Sequence, residues 1–241
     1  MIELSPLVWV LVLGITAGAA AIQGTVGIGY GLVAVPILAL IDPRLSPVPQ
    51  LLTVVPLTVA MAWNERHALD FGGVWWLLGG RLPGAALGLA LLAVATQRTL
   101  DLFIGLTVLL AVVLLVSGLR VTPNPVTQFG AGVASGTTSL VASIGGPPTA
   151  LLYAGQEAPT VRSTLSAVFT IGVLLSIAVR AFSNNIASSD VMVAAVMLPA
   201  VLFGWAVSRR YKDRFSSHGV RLGVFAVSGL AAVGLVIRAL A

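Results

Sequence analysis

The sequence predicts an all-α polytopic membrane protein made of two homologous four-segment halves, each opened by a broken helix. Three observations carry that reading. The 241-residue chain is 58% hydrophobic and 9% charged, with a mean hydropathy of +1.04, far short of the roughly 25% charged residues that coat a soluble domain. Its apolar residues fall into eight blocks, 7–41, 47–63, 71–95, 99–119, 126–156, 161–182, 189–208 and 216–240. Two of these blocks carry a Gly/Pro break, and the two breaks lie 116 residues apart.

About 20 helical residues cross the roughly 30 Å hydrocarbon core, so six of the blocks fit one crossing each. The blocks 7–41 and 126–156 are too long; 35 helical residues would measure about 52 Å. The first is interrupted at Gly27-Ile28-Gly29-Tyr30-Gly31, followed by Pro36, and the second at Ser143-Ile144-Gly145-Gly146-Pro147-Pro148. The same 116-residue offset relates Gly14 to Gly130, Pro83 to Pro199, Gly88 to Gly204, Arg98 to Arg214 and Gly118 to Gly234. One constant offset among so many helix-breaking residues predicts a duplication, with residues 1–120 and 121–241 as transmembrane repeats of a single membrane domain. Each long block then consists of two half-helices, either offset pieces of one crossing or a re-entrant hairpin. Irregular backbone survives at membrane depth only where protein or a water-filled cavity satisfies it, so both options put the breaks in the interior.

The choice sets the symmetry: full crossings make the halves parallel, and hairpins make them inverted. Basic loops mark the cytoplasmic face, and the loop with Arg209, Arg210, Lys212 and Arg214, with Arg221 nearby, is the natural anchor. Parallel halves add Arg44, Arg98 and Arg162 to that face; inverted halves add Arg66, Arg120 and Arg162. Either way the count is eight inside to four outside. Block length favours hairpins, and both arrangements put the two termini outside.

Composition narrows the function classes. The chain has no cysteine, which excludes disulfides, thiolate metal sites and cysteine catalysis. His67 and His218 are far apart in sequence, which argues against a metal centre. The net charge of +5 sits in short loops, as membrane anchors do, and not in a nucleic-acid-binding patch. The start Met1-Ile2-Glu3 lacks a signal peptide's basic region and cleavage site. No nucleophile–base pair, phosphate loop or cofactor motif is present, so neither catalysis nor a bound cofactor is expected.

The breaks themselves carry the chemistry. Glycines let backbone N–H groups approach a ligand without a Cβ in the way, and a half-helix starting at a break presents unpaired N–H groups and a positive dipole end. Two such ends facing each other form an anion site that needs no buried cation. A broken helix in each half is also the usual sign of a transporter's substrate site. The candidate substrate residues are Gln23, Thr25, Gly27, Gly29, Tyr30, Gly31, Gln50 and Thr53 in the first half. In the second they are Thr138, Ser143, Gly145, Gly146, Arg162, Ser166 and Thr170. All eight carboxylates, Glu3, Asp42, Glu65, Asp70, Asp101, Glu157, Asp190 and Asp213, fall in loops or near predicted helix ends. An acidic residue near the midplane is the usual mark of a proton relay or cation site, so their placement favours an anionic or neutral cargo. Asp101 reads as a helix-start residue in a cap or dipole role, Arg162 either as a residue that meets an entering anion or as an interfacial arginine, and Arg81, inside the third block, as structural. The five tryptophans read as interfacial anchors.

These residues resemble the TauE/SafE family, the sulfite exporter or toluene-sulfonate uptake permease family. The matching motifs are Gly24-Thr25-Val26-Gly27-Ile28-Gly29-Tyr30-Gly31 leading to Val35-Pro36, and His67-Ala68-Leu69-Asp70-Phe71 followed by Pro83-Gly84 and Gly88. The second half adds Ile144-Gly145-Gly146-Pro147-Pro148 and Val161-Arg162-Ser163-Thr164. Ser143 departs from the pattern where a glycine often stands. The resemblance implies a multi-pass carrier of the bacterial or archaeal inner membrane for sulfite, sulfoacetate or a related sulfur-containing anion. A small anion and the lipid bilayer are the expected partners, nucleic acid is not, and a second copy in a homodimer is a further candidate. A passive anion channel is the alternative.

Overall fold

The computed structural model describes residues 4–64, 66–153, 155–211 and 217–241. Glu3, Glu65, Lys212, Asp213 and Arg214, and the side chains of His218 and Arg221, lie outside the described residues. The α-helices among the described residues are α1 (Pro6–Val26), α2 (Tyr30–Ile41), α3 (Val48–Asn64), α4 (Phe71–Val94), α5 (Gln97–Val116), α6 (Pro125–Ala142), α7 (Gly146–Leu152), α8 (Ala158–Phe182), α9 (Ser188–Tyr211) and α10 (Ser217–Leu240). Seven helices among the described residues are long and apolar enough to cross a membrane, and α2 is a shorter apolar helix. Bulky apolar side chains such as Leu7, Trp75, Leu110, Phe203 and Leu230 point outward, the inverse of a soluble surface. The protein is a polytopic membrane protein.

Local chemistry sets the helix ends. Ser5, Asp70, Thr96 and Asn124 cap α1, α4, α5 and α6 with side-chain oxygens, satisfying backbone donors that the first turn leaves open. Asp101 is therefore not the cap expected from the sequence. Thr96 takes that place, and Asp101 is buried one turn in, accepting a hydrogen bond from Arg238 Nε of α10 at 2.9 Å. Both breaks fall where predicted. Gly27 ends α1 at φ +93° and Gly29 precedes α2 at φ +133°, conformations in which a Cβ is strained. Ser143 ends α6 at φ +56°.

The packing fixes the directions of the helices. Along α4 and α6, Gly80 faces Phe129, Gly84 faces Gly136 and Gly88 faces Leu140, so these helices run parallel with their backbones in close approach. Along α1 and α9, Gly204 faces Ala17 and Gly24 faces Ser208, again parallel. The pairs α5–α10 and α3–α8 are antiparallel. Asp101 meets Arg238 while Gly105 meets Ala232; Asp70, just past α3, donates its N–H to Thr164 Oγ1 near the start of α8 at 3.0 Å.

Both broken blocks are hairpins. Val121 N, just before α6, donates to Leu151 O near the end of α7 at 3.4 Å, which brings the chain back to where α6 began. In the first block, Gln50 at the start of α3 reaches Met197 of α9; that half of α9 lies beside the start of α1, so α2 ends where α1 starts. The link between α3 and α4 therefore sits at one end of the bundle and the link between α8 and α9 at the other, separated by the 25-residue α8. Because the native chain has no cysteine, His67→Cys and Asn185→Cys reporters test this directly. A membrane-impermeant maleimide is expected to label them from opposite faces, and labelling from one face would exclude the antiparallel arrangement.

Candidate functional site

The two hairpin tips meet inside the bundle. A Cβ on Gly31 would run into the Ser143 carbonyl, so that glycine lets the tips close on each other, and Gly146 of the second tip lies beside Ile28 of the first. Between them lies a cavity of about 40 Å³, lined by Gln23, Gly29 and Gly31 of the first tip and by Ser139, Ser143, Gly145 and Gly146 of the second. Arg81 of α4, Phe169 and Val173 of α8 and Val54 of α3 complete it. Ile28, Gly29 and Leu32 also line a vestibule of about 660 Å³, whose wall includes Thr25, Arg120, Tyr153 and Arg162. No carboxylate occurs among the described residues lining either space.

The polar groups of the small cavity are mostly donors. Gln23 Oε1 accepts from Tyr30 N, the first N–H of α2, at 3.1 Å, while its Nε2 is buried without a partner among the described residues. Arg81 is 1% exposed. Its Nη2 donates to Ser135 Oγ at 2.7 Å, and that hydroxyl donates to Gly145 O at 2.6 Å. Its Nε and Nη1 have no partner among the described residues, and its guanidinium lies 5.6 Å from the Phe169 ring centroid, within cation–π range.

The expected substrate residues divide by where their side chains point. Gln23, Gly29, Gly31, Ser143, Gly145 and Gly146 line the cavity, and Thr25, Gly29 and Arg162 line the vestibule. The remainder do not line the small cavity. Gly27 packs against Arg162, with 3.1 Å between a built Cβ and Arg162 Cγ. Tyr30 and Thr53 hydrogen-bond each other at 2.7 Å, and Gln50 Nε2 donates to Leu45 O. Thr138 and Thr170 donate to their own helices, to Ala134 O and Ser166 O, and Thr25 does the same to Ala21 O. Ser166 is fully buried, without a hydrogen-bond partner among the described residues. Ser143 Oγ donates to Pro47 O at 2.8 Å, tying the second tip to the start of α3.

Arg81, read from the sequence as structural, is a buried arginine in the wall of the small cavity, so a cation stands beside the tips where the sequence reading required none. The signal was a lone arginine in a 24-residue apolar helix, because an ionisable residue inside a membrane span is a functional candidate by default. Ser135 and Gly172, which shape its surroundings, carry no comparable signal.

A bundle of membrane-spanning helices with two broken hairpins meeting at a buried, donor-lined cavity has the architecture of a membrane transporter. The sequence profile of the family described as Sulfite exporter TauE/SafE matches residues 10–235, nearly the whole chain, and the protein belongs to that family. No curated protein and no solved structure matches the chain.

A Cβ on Gly172 would collide with the Arg81 guanidinium, whereas Gly14 of α1 faces open space. Gly172→Ala is therefore expected to lower stability by about 1–3 kcal/mol, the usual cost of overpacking, and to reduce transport. Gly14→Ala should leave the thermal midpoint of the purified protein at or above the wild-type value.

Proposed function

We propose that this chain is a secondary transporter of the bacterial inner membrane that carries a small sulfur-containing anion, sulfite or an organosulfonate such as sulfoacetate. The anion binds between the two broken hairpins. The observation that carries this reading is the meeting of both tips at one buried cavity rich in hydrogen-bond donors, in a chain of a sulfite exporter family. Residues 1–120 and 121–241 act as homologous, inverted halves. The antiparallel α3–α8 and α5–α10 pairs, each made of equivalents under the 116-residue offset, support that arrangement.

Loop charge then supports an orientation. Arg66, Arg120, Arg162, Arg209 and Arg210 lie toward one end of the bundle. At the other end Arg44 is paired with Asp42 at 2.7 Å and holds that carboxyl below its usual range. Arg180 and Arg238 at that end are turned onto helix carbonyls, and Arg98, at the start of α5, lies exposed there as well. The first end is the cytoplasmic one by the positive-inside rule. Arg120 and Arg162 in the wall of the vestibule support a route by which cytoplasmic anions reach the tips from that end.

Reconstituted protein should show saturable sulfite or sulfoacetate uptake that supports counterflow. Gly29→Val and Gly145→Val should each lower that uptake at least about tenfold, because a side chain at Gly29 is strained at φ +133° and meets Ile22, and one at Gly145 crowds Arg81, Ser135 and Ser139. Wild-type flux in both variants would refute the site, and large single-channel currents would replace the carrier with a channel.

A further inference from the structure

Resting on the anion-transport reading, we propose that Arg81 and Gln23 are the two side chains that ligate the anion. In this assignment the small cavity admits only its oxygen-bearing head, leaving any organic tail in the vestibule. Arg81 sits near the centre of a 24-residue apolar helix and is 1% exposed. A guanidinium carries five N–H donors in a planar fork. Here one nitrogen is engaged by Ser135 and the ring of Phe169 lies nearby, while Nε and Nη1, the latter beside Gly172, have no partner among the described residues. A buried charge in that condition is costly unless an anion completes it.

The room around Arg81 is specifically shaped. A Cβ on Gly172 would overlap the guanidinium, and one on Gly145 would stand 2.9 Å from Nη2. Gln23 is oriented with equal definiteness. Tyr30 N can only donate, so Oε1 must face it, and the amide Nε2 is left as a second unengaged donor, with Gln23 lining the same cavity as Arg81. A planar fork from one hairpin's partner helix and an amide donor from the other hairpin match an anion with several oxygens, since arginine binds such groups bidentately.

Size supplies the rest of the assignment. Water-sized centres find about 40 Å³ in the cavity, a space that suits a compact SO₃ head, while the larger vestibule suits a tail. The way out passes Ile28 and Leu32 into the 660 Å³ vestibule. A sulfonate therefore enters head first, and the site selects on the head.

The test is anion binding to the purified protein in lipid nanodiscs, read as sulfite- and sulfoacetate-dependent thermal shifts and as direct titration. Gln23→Glu keeps the oxygen that accepts from Tyr30 N and puts a carboxylate in the cavity. It should fold with an unliganded midpoint no lower than wild type and bind sulfite at least about a hundredfold more weakly. Arg81→Lys, which keeps charge but loses the fork, should weaken binding by at least about tenfold, the scale of a charged hydrogen bond. Ile28→Trp, which narrows the exit, should weaken sulfoacetate at least about tenfold more than sulfite. Wild-type sulfite affinity in Gln23→Glu or in Arg81→Lys overturns the ligand assignment, and equal effects of Ile28→Trp on both anions overturn the head-first orientation. If the wild-type protein binds neither anion, the transport reading falls and takes this assignment with it.

Discussion

A helix broken within an apolar bundle exposes backbone groups that lipid cannot satisfy, and the architecture is organised around supplying partners for them. At the first tip, Gln23 Oε1 takes the first N–H of α2. At the second, Ser135 donates to Gly145 O, while Arg180 reaches across from α8 to the last carbonyls of α6, at Leu140 (2.7 Å) and Val141 (3.1 Å). The far end of α2 is finished by Arg238, whose Nη1 donates to Ala39 O at 2.7 Å while its Nε holds Asp101. Cations at helix C-termini also answer the negative end of the helix dipole. The breaks can persist because helices distant in sequence complete them.

Set beside those two arginines, Arg81 stands apart. Arg180 and Arg238 direct their donors at carbonyls and a carboxylate, so their charges act as fasteners. Arg81 is buried like Arg180 and more deeply than Arg238, yet two of its nitrogens have no partner among the described residues, and it lines the cavity where the tips meet. Loop charge counted from sequence did not separate parallel from inverted halves because Arg180 and Arg238 fall outside in both, while Arg44 and Arg98 balance Arg66 and Arg120. Pairing with Asp42 takes Arg44 out of that balance.

Membership of the membrane class, the helical blocks and both break positions were legible because each depends on local chemistry: apolar length, and glycine or proline at special backbone angles. The site was legible only in part. Glycines at the tips could be recognised because close approach demands them, and six of the expected residues do line the cavity. Hydroxyls could not be sorted the same way. Thr25, Thr138 and Thr170 bond the carbonyl four residues back, the habitual alternative for such residues in apolar helices. Which face of a membrane helix looks inward is weakly encoded when nearly every side chain is apolar. Arg81's surroundings come from Ser135 and Gly172, 54 and 91 residues away in sequence, and no spacing rule links them.

The crossing pattern gives the cavity its mechanical setting. The first hairpin is packed on α9, through Ala17 with Gly204 and Gly24 with Ser208. The second is packed on α4, through the glycine contacts that also bring Arg81 beside Ser135 and Gly145. Each hairpin is thus clamped to a long helix from the other end of the chain. Close backbone contact of this kind leaves little freedom for the paired helices to slide. Arg81 and the second tip therefore belong to one tightly packed unit, and Gln23 and the first tip to another. The cavity lies on the seam between the two units, so an anion held by both side chains would bridge them, and its arrival or departure would alter the balance of forces across the one place where the bundle is built from facing loop ends.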